Sequence, residues 1–166
     1  RVADPGPLND TEIIQFGDGG LIERFDWNGE LIWSFVYNDP EARQHHDIEP
    51  MPNGNVLILA WEYHPIEEVW ARGRDPKTVG WDTETTPFML SERILEVDTK
   101  TNEVLWIWSS WDRHIQNRYP DLPNYGEPSD HPGKLDFNYL TSNRNDWIHA
   151  NAIDYNPELD QILISS

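Results

Sequence analysis

The chain has 166 residues, of which 37% are hydrophobic, and a mean hydropathy of −0.71, yet nine residues are Trp. That length suffices for one domain with a core, and the aromatic content excludes a disordered chain. Acidic residues outnumber basic ones 30 to 12, for a formal charge of −18, and Cys is absent, which argues against nucleic acid as a partner and excludes disulfides and thiolate metal sites.

No stretch approaches the roughly 20 apolar residues needed to span a bilayer. The negative field reads as solubility in surroundings salty enough to screen self-repulsion. An anionic ligand binds such a protein only where local His, Arg or Asn side chains override the field. The chain opens on Arg1 and stops within the apolar run Gln161 to Ser166. Both ends read as cuts, so the chain is expected to be a piece of a longer protein.

Short apolar segments bounded by turn residues recur along the chain, which is the pattern of strands. Leu21 to Trp27 is the first predicted strand, and Asn28-Gly29 suits the positive φ angles of a tight hairpin turn. Leu31 to Tyr37 returns as the second, and His45 to Glu49 is the third. Pro52-Asn53-Gly54-Asn55 turns the chain into the fourth, Val56 to Tyr63. A short helix is predicted around Ile66 to Ala71. The same programme then repeats. Arg93 to Asp98 answers the first strand, with Asp98 in the place of Asp26. Glu103 to Ser109 answers the second, with Trp106 matching Trp33. Trp147 to Tyr155 answers the third, and Gln161 to Ser165 the fourth.

Four antiparallel strands in each run match the blade of a β-propeller. The predicted class is all-β, with two four-stranded antiparallel blades and long loop insertions. Blade one covers about 17–63, an insertion follows at about 64–90, and blade two covers about 91–166. Its inserted loop, 111–145, carries Pro120, Pro123, Pro128 and Pro132 and is therefore expected to be irregular. Two blades cannot close a ring, so the remaining blades of the same propeller are expected partners. Trp27, Trp33, Trp106 and Trp108 are most simply read as core between blades.

Three polar clusters could carry chemistry. Gln44-His45-His46-Asp47 opens the third strand of the first run, and His149-Ala150-Asn151 holds the equivalent station in the second. Strand alternation would point His149 and Asn151 the same way. Radial repetition would let His46 and His149 converge on one ligand. Two imidazoles and an amide form a cradle for a tetrahedral oxyanion, and His can also serve as a nucleophile. The competing reading makes each His a hydrogen-bonded residue at a strand start. In the third cluster, Asp112-Arg113-His114 with Asp130-His131, no ligand spacing singles out a metal site, and solvated loop polarity is the favoured reading.

The strand and turn from His45 to Leu57 (HHDIEPMPNGNVL) resemble a segment of the bacterial arylsulfotransferases. Asp146 to Tyr155 (DWIHANAIDY) resembles a second segment of that family. The resemblance runs from about Gly17 to Ser166. It implies a six-bladed β-propeller in the periplasm or outside the cell. It further implies a transferase that needs neither cofactor nor metal and uses no nucleotide sulfate donor. A sulfuryl group would pass from an aryl sulfate to a phenolic acceptor through a sulfated histidine. His149, Asn151 and His46 would hold the sulfate oxygens, with His45 competing with His46 for that place. The family's nucleophilic His and its sulfate-binding Arg have no counterpart in this chain, so the piece alone is expected to be inactive. Two rival readings remain open from the residues. Asp26 to Trp33 resembles the repeat of quinoprotein propellers, and a non-catalytic extracellular propeller for binding or support would suit the acidic surface.

Overall fold

The computed structural model describes residues 19–139, 141 and 144–166. Positions 17 and 18, where the sequence begins its first blade, lie outside these residues, as do 140, 142 and 143 of the long loop. The strands are β1 (Leu21–Phe25), β2 (Leu31–Val36), β3 (Ala42–Pro50), β4 (Val56–Pro65) and β5 (Phe88–Val97). They continue as β6 (Val104–Ser109), β7 (His114–Ile115), β8 (Leu135–Asp136), β9 (Ala152–Asn156) and β10 (Gln161–Ser165). Among the described residues one α-helix, α1, covers Ile66–Ala71, as its sequence predicts. The protein is all-β.

Two hairpins use the same turn. Asp26 N donates to the Glu30 carbonyl (2.9 Å) and Gly29 N to the Asp26 carbonyl (3.1 Å). Met51 N donates to the Asn55 carbonyl (2.8 Å) and Gly54 N to the Met51 carbonyl (2.9 Å) in the same way. Each turn ends on a glycine with positive φ, 85° at Gly29 and 91° at Gly54, a conformation that costs residues with a Cβ. Asn28 does not share it, so the turn differs from a two-residue hairpin, and the β1–β2 register shifts between Arg24 and Phe25. The repeat is legible in side chains too. Asp26 Oδ1 accepts from Asn28 N (2.8 Å), and Asp98 Oδ1 accepts from Lys100 N (2.7 Å), both Asx turns that fix the bend locally.

The grouping of strands departs from the blades drawn on the sequence. The four-stranded sheet runs β3–β4–β5–β6, joining the last two strands of the first run to the first two of the second. β1–β2 and β9–β10 form separate antiparallel pairs. Turn chemistry specifies which strands meet within a hairpin. It does not specify which side the next hairpin joins.

Two compact units make up the chain. The first holds residues 19–62, 93–108 and 149–166. β4 is buried on both sides here, and strand alternation sorts its residues into two cores. Val56, Ile58 and Ala60 pack with Ile22, Trp33, Leu95 and Val97. Leu57 and Leu59 pack with Ile94, Ala150 and Ile153. Trp33 Nε1 donates to Asn102 Oδ1 at 2.8 Å, linking the two runs. Of the four Trp read as core, Trp33 is buried and Trp108 half-buried, whereas Trp27 and Trp106 are exposed.

The second unit holds Tyr63–Glu92 and Ser109–Ile148. Ile66 and Val69, three apart on one side of α1, pack with Met89, Trp111, Phe137 and Trp147. Its long loop is irregular, as its prolines predict, with 3₁₀ turns at Trp111–Arg113 and Pro128–Asp130 and a short parallel pair, β7–β8. The buried Arg74 guanidinium donates to the Phe137 carbonyl, and Asn138 bonds both Asp75 N (2.8 Å) and the Gly73 carbonyl (2.9 Å). Burial pushes the Arg74 pKa down to about 10, leaving it charged at neutral pH.

Candidate functional site

The site begins with an interruption of the β3–β4 ladder in the first unit. Gln44 pairs with Ala60 and Ile48 with Ile58, so His45, His46 and Asp47 share the space opposite Leu59 alone. Extra residues on one strand form a bulge, which re-aims side chains out of the regular pleat. His46 sits in the bulge with φ of 49°, and His149, just before β9, has φ of 56°. A left-handed non-glycine residue costs roughly 1–3 kcal/mol and persists only where its surroundings hold it. One histidine from each run carries that strain.

The two strained residues meet. The His46 and His149 rings lie edge to face, with centroids 5.2 Å apart. His45 goes elsewhere: it is fully buried, and its ring stacks on Trp61 at 4.1 Å with the planes 5° apart. The Trp61 ring also meets His46 edge-on at 6.0 Å. Of the His45–His46 doublet, His46 is therefore the one that faces His149.

Asn151 is exposed, and its Nδ2 donates to the His149 carbonyl at 3.0 Å. The alternation argument for this pair does not hold, because β9 starts only at Ala152 and His149 is left-handed. The local bend, and not a pleat, keeps Asn151 beside His149.

Among the described residues, His46 Nε2 and Trp61 Nε1 are buried without a hydrogen-bond partner. Leaving a buried polar atom unpaired costs about 1–3 kcal/mol, so such atoms mark places where a ligand can supply the missing bond. Both Gln44 amide atoms are also unpartnered, but its pairing with Ala60 puts Gln44 on the sheet face opposite Trp61. The bulge is tied down by Asp47, whose Oδ2 accepts from Ile153 N at 3.1 Å. Beside it, burial and then the charges of Asp154 and Asp47 hold the Glu49 carboxyl above its usual pKa.

The third polar cluster separates into structural and solvated parts. His114 is 1% exposed. Its Nδ1–H donates to the Trp111 carbonyl, which leaves Nε2 to accept from Asn124 Nδ2 at 2.8 Å. Burial pushes its pKa down to about 4, so the ring is neutral. Asp112, Arg113, Asp130 and His131 are exposed. Among the described residues no group of three or more His, Cys, Asp or Glu side chains is arranged to hold a metal ion.

Trp61 carries no sequence signal that marks it, and Asp47, though part of the first polar cluster, carries none for its role as a tether. Trp61 reads as one more aromatic in a strand, and the partner of Asp47 lies 106 residues away.

The described site is thus a pair of left-handed histidines, one from each run, with rings 5.2 Å apart beside Trp61. The profile of the arylsulfotransferase family, Arylsulfotransferase (ASST), matches residues 8–166, and the chain belongs to that family. No curated protein matches it. Membership implies a transferase of the sulfuryl group with aryl or phenolic substrates. Among the described residues no helix is long and apolar enough to cross a membrane.

Proposed function

We propose that the protein moves a sulfuryl group from an aryl sulfate to a phenol through a sulfated histidine, within a β-propeller in the periplasm or outside the cell. Family membership supports the reaction class. The observation that carries the site is the His46–His149 pair, with the buried, unpartnered Nε2 of His46.

In the first step an imidazole nitrogen attacks sulfur; the N–S bond forms as the S–O bond to the aryl group breaks, and the aryl oxide leaves and takes up a proton. In the second, the acceptor oxygen attacks sulfur, the N–S bond breaks, and the phenolic proton is released. On this reading His46, His149 and Asn151 hold the non-bridging oxygens and stabilise the charge that develops on them. Asn151 has a second amide hydrogen beyond the one given to the His149 carbonyl, and it adds no charge. The nucleophilic histidine and a sulfate-binding Arg belong, on the same reading, to further blades.

The test is transfer from 4-nitrophenyl sulfate to phenol by the intact protein, followed by 4-nitrophenolate release and detection of phenyl sulfate. His149→Ala should lower the rate by roughly 100-fold or more, the usual loss for one oxyanion donor, with the melting temperature little changed. Undiminished transfer in that variant would remove His149 from the reaction.

A further inference from the structure

We infer that Asp47 is the positioning residue that sets the two imidazoles against each other, an inference that rests on the sulfuryl-transfer reading above. A bulge is the part of a strand that the ladder does not constrain. Opposite Leu59 there are three residues in place of one, so regular pairing does not dictate where His46 goes. The residue is also strained, at φ 49°, and something outside the ladder must hold it.

Asp47, next in the chain, supplies that hold. Its Oδ2 accepts from Ile153 N at 3.1 Å. Ile153 is buried, 4% exposed, and packs with Leu57, Leu59, Ile94 and Ala150. That makes it a fixed post for the tether. It also lies in β9, shortly after His149. The bond thus joins the segment carrying His46 to the segment carrying His149, and the 5.2 Å ring separation follows from it. Asp47 does not touch the reacting group; it acts through His46.

The role requires an acceptor oxygen at a fixed reach from the backbone, and it does not require a charge. Asp47→Asn keeps such an oxygen, Asp47→Ala removes it, and Asp47→Glu keeps the charge but lengthens the arm. Misplacing a catalytic group by about 1 Å costs on the order of 100-fold, and losing an orienting partner typically costs 10–100-fold. Because the oxygens are held most tightly at the transition state, the loss falls on kcat.

The experiment compares these variants with His149→Ala in the intact protein, using 4-nitrophenyl sulfate and phenol. Asp47→Ala should lower kcat by roughly 10–100-fold, with KM within about twofold, and Asp47→Asn should restore kcat to within about threefold. If Asp47→Ala does not fold, the other pair decides: Asn should be active and Glu impaired. An active Glu variant with an inactive Asn variant would make charge the requirement and overturn the inference. Loss of transfer in His149→Ala, with full kcat in Asp47→Ala, would sink the positioning role and leave the reaction standing. Full transfer in His149→Ala would instead remove the imidazole pair from the reaction, and no transfer by the unmodified protein would sink the reaction reading itself.

Discussion

His46 and His114 sit in opposite circumstances. Around His114 everything is satisfied: both ring nitrogens are bonded, and Phe137 lies 4.3 Å away, centroid to centroid. His46 lies in a bulge with left-handed backbone, and its buried Nε2 lacks a protein partner. The first arrangement stabilises the fold. The second spends stability on geometry, through strain and through desolvation that is not repaid. A half-buried and a fully buried histidine are alike in composition, and their unmet valences tell them apart.

The largest expected effect separates the two by function. His46→Gly should reduce sulfuryl transfer by roughly 100-fold or more. It should leave the melting temperature unchanged or raised, since glycine accepts the φ of 49° without a Cβ penalty. His114→Phe should do the reverse, keeping transfer within a few-fold while lowering stability, because Asn124 Nδ2 loses its partner. Equal losses of stability in both variants would erase the distinction.

Next comes acid sensitivity. The folded-state pKa of His114 is about 4, below the ordinary 6.5. Between those values the unfolded chain takes up a proton that the folded chain refuses. Stability therefore falls as pH drops through this window, by at most on the order of 3 kcal/mol. Urea unfolding of the protein and of His114→Phe at about pH 7 and about pH 4.5 measures it. The variant should show the smaller difference between the two pH values, and identical pH dependence would mean that His114 is not neutral by burial.

The smallest effect tests the link between the runs. Asn102→Gly keeps a residue suited to the φ of 61° but removes the acceptor for Trp33 Nε1. A loss of about 1 kcal/mol is expected, seen as a melting temperature lower by a few degrees. No change would mean that water replaces the bond at no cost.

Much of the local structure is legible in the sequence because it is decided over short spans. The strands follow from apolar segments between turns. α1 follows from Ile66 and Val69 at helical spacing, and Asp26 and Asp98 announce equivalent bends. The start of β9 is misread, because Trp147 to Asn151 is apolar and aromatic like a strand yet contains the left-handed His149. Trp27 and Trp106, read as core between blades, are exposed in this chain, because the sequence shows that a side chain is apolar and not what covers it.

By itself, the sequence determined the all-β class, the two-fold repeat, the turns, the short helix α1, and the family through its HHD and H-x-N segments. Each rests on interactions within a hairpin or on residue identity. Tertiary structure decided which hairpins share a sheet and that His46, not His45, faces His149. It also decided that Asp47 reaches Ile153, and that His114 is neutral while His46 Nε2 is left unpaired. These depend on partners far along the chain, and a side chain's protonation and hydrogen bonding are set by what surrounds it in space.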